Sequence, residues 1–383
     1  MRIAMVHSFY TSENPSGENQ AVLDQFAVLE AAGHDVVLIN RKTDEDSQQP
    51  LYKVRSAFRA ANIGGPDPSP ELEKFRPDIV HVHNLFPNWG TGWLKKWTHN
   101  SVATLHNFRT LCAAGWLYRD GHVCHECLET SSLAAIRHKC YKDSPIASLP
   151  LAIATRDSGK YAATLQYPTR LIAHTDPSVA LFESLVGPKV DKVPYFVSDT
   201  PVTRSDRTTG SWVFIGRLGT EKGIDWLIEN WPREQRLTII GSGGLEPTVR
   251  EAAAKEPNTF DYVGQLPYAE ARALIAGSKG VVVSSRWPET GPLTAIEALQ
   301  SGTPLAVSDS IAQANELTKN GAGVQFNIEA GAASLRAALE QLDEGAVSRD
   351  SARARFEEEF SAKVWLSRVE QTYAKVLNPK DFA

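Results

Sequence analysis

The sequence predicts an α/β protein of two domains in which strands and helices alternate. Three observations lead there. Short apolar, β-branched runs recur in both halves, each followed by a polar or glycine-bearing loop and then a helical pattern. With 383 residues, the chain is long enough for two domains of ordinary size. A polar stretch with Pro201, Thr200–Gly210, lies near the middle and reads as a linker.

Taken in order, Met1–His7 is an apolar strand. The polar loop Thr11–Asn19 follows, and then the amphipathic helix Gln20–Ala32, which stops at Gly33-His34-Asp35. Val36–Asn40 is the next strand, completing a β-loop-α-β unit. Pro77–Asn84 is a strand whose histidines, His81 and His83, are expected to point one to each sheet face or to lean towards the strand end. No carboxylate stands at a usual metal spacing from them, so hydrogen bonding around His83 and Asn84 is the expectation. Ser101–Asn107 is a strand ending in His106. Arg170–Thr175 is another, followed by the helix Asp176–Gly187 with Pro177 near its start. The domain boundary is expected near Val193–Asp199, giving an N-terminal domain 1–197 and a C-terminal domain 198–361.

The C-terminal half repeats one theme. Trp212–Ile215 is an apolar strand, followed by Gly216, then Arg217 and Lys222 five apart, then the helical pattern Ile224–Ile228. Arg offers a planar fork of donors and Lys a mobile point charge, which suits an anionic group; two solvated surface cations are the plainer alternative. Arg236–Gly244 is a strand running into Gly241 and Gly243, with a helix over Glu246–Lys255, a nucleotide-type βα unit. Asn258–Pro267 carries another strand, with Gly264. Gly280–Ser284 is a further strand, and Arg286–Glu297 is its loop and helix, stopped at Ser301–Pro304. Glu289 lies in that loop and Glu297 in the helix, eight positions on, so both can face one ligand. Pro292 fits a first helical turn, and the amides of Gly291–Thr294 suit an anion or a sugar hydroxyl.

These motifs resemble, in order and over nearly the whole chain, the retaining nucleotide-sugar-dependent glycosyltransferases of family four (glycosyl transferases group 1), whose signature is Glu-x7-Glu. The resemblance implies the GT-B fold: two Rossmann-like domains facing across a cleft, with a last helix, 362–383, crossing back to the N-terminal domain. It implies that Gly17, Gly216, Arg217, Lys222, Gly241, Gly264, Glu289, Thr290, Gly291, Pro292, Leu293 and Glu297 bind the donor. Arg217 and Lys222 would hold its diphosphate, Glu297 the ribose and Glu289 the sugar. His106 would lie beside donor sugar and acceptor and, with Glu289, Arg217 and Lys222, take part in the chemistry. Two departures stand out. Ser16 occupies the first position of the family's Gly-Gly pair, and Asn107 follows His106 where the family usually has Asp.

The resemblance further implies hexosyl transfer from a donor such as a UDP-sugar to a saccharide, lipid-linked or small-molecule hydroxyl, in polysaccharide, glycolipid or other glycoconjugate synthesis. A catalytic divalent metal is not expected, because Arg and Lys take its place and no Asp-x-Asp stands at a strand end. Two other readings stay open: a GT-B sugar-nucleotide epimerase, and a non-catalytic binding protein that uses the cysteine loop.

Composition agrees with an enzyme of this kind. A net charge of −5 gives no nucleic-acid signal. No apolar run reaches the length of a membrane span, and the N-terminus reads as a strand and not a signal peptide, so a cytoplasmic location is expected. Trp89, Trp93 and Trp97 stand four apart beside Lys95 and Lys96, and on a helix they would form one stripe, either packed under the cysteine loop or anchoring at the inner face of a membrane. The basic amphipathic stretch Lys53–Arg59 reads by default as a solvated helix face.

All four cysteines, Cys112, Cys124, Cys127 and Cys140, fall in the loop 107–145. The central Cys-x2-Cys with two flanking cysteines suggests a small structural zinc site more than disulfides in a cytosolic protein. His122, His125 and His138 are possible substitute ligands; unliganded thiols, an iron–sulfur cluster and a redox dithiol are alternatives.

Overall fold

Apolar, β-branched runs become strands; the central ones, such as Ile79–Val82 and Leu237–Ile240, are buried along their whole length, as strands of a parallel sheet covered on both faces are. The computed structural model describes residues 1–10 and 17–378. Thr11–Ser16, and with them the Ser16 departure, lie outside the described residues, as does the segment after Asn378.

The chain divides into two compact units. Unit 1 comprises Met1–Arg119, Cys124–Tyr195 and the chain from Trp365 onward; unit 2 comprises Asp120–Val123 and Phe196–Val364. Unit 1 holds a six-stranded parallel sheet of β1 (Arg2–Phe9), β2 (Asp35–Lys42), β3 (Ile79–Val82), β4 (Ser101–Thr104), β5 (Arg170–Ala173) and β6 (Val190–Lys192), in the order β2-β1-β3-β4-β5-β6. Ile3 pairs with Val36 on one side and Ile79 on the other. The helix Gly17–Ala31 joins β1 to β2 and buries Val22 and Leu29. The helix Ala362–Leu377 buries Trp365, Val369, Tyr373 and Val376. Within unit 1, Lys375 Nζ donates to Asp191 at 2.6 Å, and His34 Nε2 lies 3.0 Å from Glu370.

Unit 2 holds β7 (Trp212–Ile215), β8 (Leu237–Ile240), β9 (Phe260–Gly264), β10 (Gly280–Val283), β11 (Leu305–Ser308) and β12 (Gly323–Phe326), all parallel, in the order β9-β8-β7-β10-β11-β12. Counted within the unit this is 3-2-1-4-5-6, the doubly wound order, with its reversal between β7 and β10. Its core joins Trp212, Phe214, Leu227, Val249, Phe260, Phe326 and Leu339.

Four expectations need correcting. The His81 and His83 rings lie 4.2 Å apart on one side of the sheet and not on opposite faces, because residues two apart on a strand share a face. The tryptophans do not form a helical stripe. Gly92–Lys96 is a short 3₁₀ helix, Trp89 and Trp93 are each 5% exposed, and their indole N–H groups donate to His7 O and Gly90 O. Pro292 is the residue before the helix and not in its first turn, since the helix runs Leu293–Gln300. An Asp-x-Asp does follow a strand: Asp44-Glu45-Asp46 begins two residues after β2. Its Asp46 carboxylate is taken up by Arg41 at 2.6 Å and by Arg59 at 3.2 Å.

Candidate active site

In unit 2 the expected donor residues gather at the C-terminal ends of the strands, where open α/β sheets bind ligands at the reversal of strand order. The loop after β7 carries Gly216, Arg217 and a 3₁₀ turn, Thr220–Lys222; the loop after β10 carries Ser284–Pro292. The two loops are tied together. Ser284 Oγ donates to Lys222 O at 3.0 Å, and the Arg286 N–H donates to Glu221 O at 2.9 Å. Gly223 makes this approach possible. Its φ is +70°, and a Cβ there would sit 2.1 Å from Ser284 O. Gly241 does the same between the loops after β7 and β8, with φ +136° and a Cβ position 1.9 Å from Gly216 O. Its N–H donates to Gly264 O at 2.9 Å, which links the loop after β9.

Charge is placed on this frame. Lys222 Nζ donates to Glu289 Oε1 at 2.8 Å, and the Ser285 hydroxyl donates to the same oxygen. Glu289 is 3% exposed, and burying its carboxylate is tolerable because a cation and a hydroxyl face it. The Lys222 ammonium also lies 5.7 Å from the Trp287 ring. Arg217 is oriented by Glu221, its Nε 2.8 Å from Oε1. Thr290 is buried, Gly291 and Leu293 are partly exposed, and Glu297, 8% exposed, projects from the following helix. Glu221 and Ser285, which set Arg217 and Glu289, are absent from the residues expected on sequence. The i,i+4 spacing of Arg217 and Glu221 is a signal that points to the first.

In unit 1, strand ends again converge, but the groups are neutral. His106 follows β4 and is 6% exposed. Its Nδ1 is 2.6 Å from Tyr195 Oη, and its Nε2 is 2.9 Å from His83 Nδ1. His83 Nε2 is buried and has no partner among the described residues. Thus, with Tyr195 donating, each imidazole hands its proton one step along, and His83 Nε2 becomes the donor at the chain's end. Burial first, and then neighbouring histidines, hold both His83 and His106 well below the usual imidazole range. His7, bonded to Asn19, and His174, on Val193 O, are brought down to about 4 by burial. His81 is likewise lowered to about 3, with Tyr373 and Thr104 on its two nitrogens at 2.7 Å each.

A cavity of about 100 Å³ opens beside this array, lined by His83, Asn84, His106, Asn107 and Arg109 among others. Gly17 opens the helix Gly17–Ala31, whose Glu18 accepts from Asn107 Nδ2 at 3.3 Å. Burial pushes the Glu18 carboxyl up. An aspartate at position 107 would set a second carboxylate against it, so the departure to Asn107 suits this neighbour. Asn107 Oδ1 also accepts from the Arg109 N–H at 3.0 Å, and the Arg109 guanidinium lies 4.5 Å from the Phe86 ring.

The four cysteines come together without disulfides. Cys112, Cys124, Cys127 and Cys140 line one small cavity with Leu117, Leu128 and Ala135 in its wall. Burial, and then Cys112, Cys140 and Cys124, push the Cys127 thiol up to about 11. Among the described residues, no group of three or more His, Cys, Asp or Glu side chains stands, as placed, where it could hold a metal ion. His125 lines the same cavity, whereas His138 pairs with Glu126 at 3.1 Å.

Residues 201–359 match the family model for glycosyl transferases group 1. The glycogen synthase of Mycobacterium tuberculosis is 25% identical over 401 residues, covering 92% of this chain and 89% of that protein. Among solved structures, sucrose-phosphate synthase from Thermosynechococcus elongatus superposes with a TM-score of 0.68 at 17% identity, covering 99% of both chains. HepE of Anabaena in complex with UDP-glucose superposes with a TM-score of 0.61 at 13% identity, covering 98% of this chain and 100% of that one. The fold is GT-B. The chain is an enzyme, a nucleotide-sugar glycosyltransferase, which sets aside the reading as a non-catalytic binding protein.

Proposed function

We propose that this enzyme transfers a hexosyl unit from a UDP-sugar to a hydroxyl of a saccharide or lipid-linked acceptor, with retention of anomeric configuration, as in the resembled family four. The observation that carries the donor half is the ion pair of part-exposed Lys222 with buried Glu289 at the reversal between β7 and β10. In this reading Lys222 and Arg217 hold the diphosphate and stabilise its charge as it departs. Glu289 accepts from the donor sugar's hydroxyls and Glu297 from the ribose. The amides from Gly291 to Leu293 add donors at the start of a helix. Uridine is favoured because HepE was solved with UDP-glucose. The acceptor side is assigned to unit 1, where neutral His83, its tautomer set through His106 by Tyr195, offers its Nε2–H to a hydroxyl without adding charge. Arg and Lys serve the leaving group, so no catalytic metal is invoked. The test is UDP release from a panel of nucleotide sugars with saccharide acceptors, and NMR of the product anomer. Acceptor-dependent UDP release and a retained anomer are expected; turnover only with another nucleotide overturns the uridine assignment, and an inverted product overturns retention.

A membrane-facing role for unit 1, in a cytoplasmic protein, is the second part of the proposal. Among the described residues no helix is long and apolar enough to cross a membrane. The helix Tyr52–Ala60 instead exposes Val54 (52%) and Phe58 (53%), four apart, and Leu51 (72%) precedes them by one turn. Lys53 and Arg55 are exposed beside them, a pairing of apolar and basic groups that suits an anionic bilayer. Cosedimentation with phosphatidylglycerol vesicles should be lost in Val54→Glu/Phe58→Glu and in high salt; equal binding by this variant removes the role.

A further inference from the structure

Apart from the transfer reaction, we propose that Cys112, Cys124, Cys127 and Cys140 bind one zinc ion, a structural four-thiolate site that shapes the loop 107–145. All four cysteines of the chain lie within this one loop and line one cavity of about 20 Å³. None is in a disulfide, and the rest of that wall is largely carbon, including Ala113, Leu117, Leu128 and Ala135. Four thiolates around a space of this size match zinc, which takes sulfur ligands at about 2.3 Å in a closed tetrahedron. Hard cations prefer oxygen.

The backbone presents the thiols on tight turns. The Cys112 N–H donates to Phe108 O at 2.8 Å, and Gly115 N–H to Cys112 O at 2.9 Å. Cys124 N–H donates to Leu117 O at 2.8 Å, and Cys140 N–H to Ala135 O at 3.0 Å. Leu117, Lys139, Lys142 and Asp143 all have positive φ, between 49° and 54°, which costs non-glycine residues roughly 1 kcal/mol or more each. Apolar packing opposes this cost at the start of the loop, where Phe108, Leu111, Ala113 and Leu117 are buried, but from Asp120 to Tyr141 Ala135 is the one buried hydrophobic residue. Metal ligation would add order to that second stretch. The four sulfurs surround the cavity without closing on a single centre. Ligation in this proposal therefore requires rotation about χ1 of the cysteines and a small contraction of the loop. Binding replaces four thiol protons by one divalent cation, releasing the protons to solvent and leaving a net charge of minus two on the cluster. Arg119, in the cavity wall, lies close enough to offset part of it.

The site has a consequence for the other cavity of unit 1. Arg109 and Thr110 line that cavity and are separated from Cys112 in the chain by Leu111 alone. The metal therefore fixes a wall of the space assigned to the acceptor, without touching reacting atoms.

The experiment is metal analysis of the purified full chain by plasma mass spectrometry, with zinc release followed by a colorimetric chelator as p-hydroxymercuribenzoate titrates the thiols. About one zinc per chain, released as four thiols react, is the expected result. Cobalt exchanged for zinc should give the visible d–d bands and the near-ultraviolet sulfur charge-transfer band of tetrahedral thiolate coordination. Both readouts use the wild-type chain, so they hold whether or not variants fold. In Cys124→Ser/Cys127→Ser the zinc content should fall to background. The proposal is overturned by wild type with under a tenth of a zinc per chain and freely reactive thiols, by disulfides in the mass spectrum, or by a brown cluster with acid-labile sulfide. None of these outcomes bears on donor binding.

Discussion

The two units share an architecture and differ in electrostatics. Both are six-stranded parallel sheets whose strand ends carry the candidate residues. In unit 2 those residues are ions: Lys222 on Glu289, and Arg217 on Glu221. In unit 1 they are mainly neutral imidazoles, phenols and amides, with Arg109 and Glu18 beside them. Residues 196–364 contain no histidine at all, whereas His7, His81, His83, His106 and His174 are buried together in unit 1. Two copies of one scaffold thus carry different electrostatics, paired ions in one and hydrogen-bonded imidazoles in the other, which in the proposed reading suit an anionic leaving group and an uncharged hydroxyl. Burial without a counter-charge keeps the second set neutral.

The largest effect expected from breaking this contrast is in unit 2. Lys222→Ala removes the cation and leaves Glu289 buried without it, so kcat/KM should fall about 10²–10³-fold. Steady-state kinetics on a saturating acceptor would check this, and a loss under tenfold would contradict the assigned role. Glu289→Gln should cost less than Lys222→Ala. Because the two groups are 2.8 Å apart, the double variant should lose clearly less than the product of the single losses; multiplicative losses would show that the pair does not act as a unit.

Acid should strike unit 1 selectively. An imidazole that titrates near 6.5 in the unfolded chain and about 4 in the folded one takes its proton first in the unfolded chain. Stability from His7 and His174 is therefore complete above pH 6.5 and is lost as pH falls from 6.5 to 4, on the order of 3 kcal/mol each. Hydrogen exchange from pH 7 to 4 should show protection falling in β1, β3, β4 and β5 well before β7, β8 and β10. A parallel decline in both units would refute this.

The smallest effect is expected at Tyr195→Phe. It removes the hydroxyl 2.6 Å from His106 Nδ1 and the fixed order of protons that follows from it. A loss of about fivefold in kcat is expected, in keeping with one hydrogen bond, with nucleotide-sugar affinity unchanged. A change in donor affinity instead would assign the phenol a different task.

The same contrast explains what the sequence discloses. The unit 2 site is legible because its determinants are local. Gly223 and Gly241 mark backbone approaches that no side chain could enter, and Arg217, Lys222, Glu289 and Glu297 lie at fixed offsets from strand ends. The unit 1 site is legible at His106 and, as an expectation of hydrogen bonding, at His83 and Asn84, but not in how these are joined. The His106 partners Tyr195 and His83 are 89 and 23 residues away, and no local pattern announces such bonds. The tryptophan spacing of four suggests a helix, but Gly90 and Gly92 interrupt one. At His81 and His83 the period of a strand is two, so a spacing of two means a shared face, and the expectation of opposite faces fails on that geometry.

Calorimetric titration of UDP-glucose and a panel of other nucleotide sugars into wild type and Lys222→Ala tests the central claim most directly. Binding of a UDP-sugar by wild type at micromolar to millimolar affinity, weakened at least tenfold in Lys222→Ala and unchanged in Tyr195→Phe, is the predicted result. Equal binding by wild type and Lys222→Ala, or binding abolished by Tyr195→Phe, would contradict the placement of the donor in unit 2.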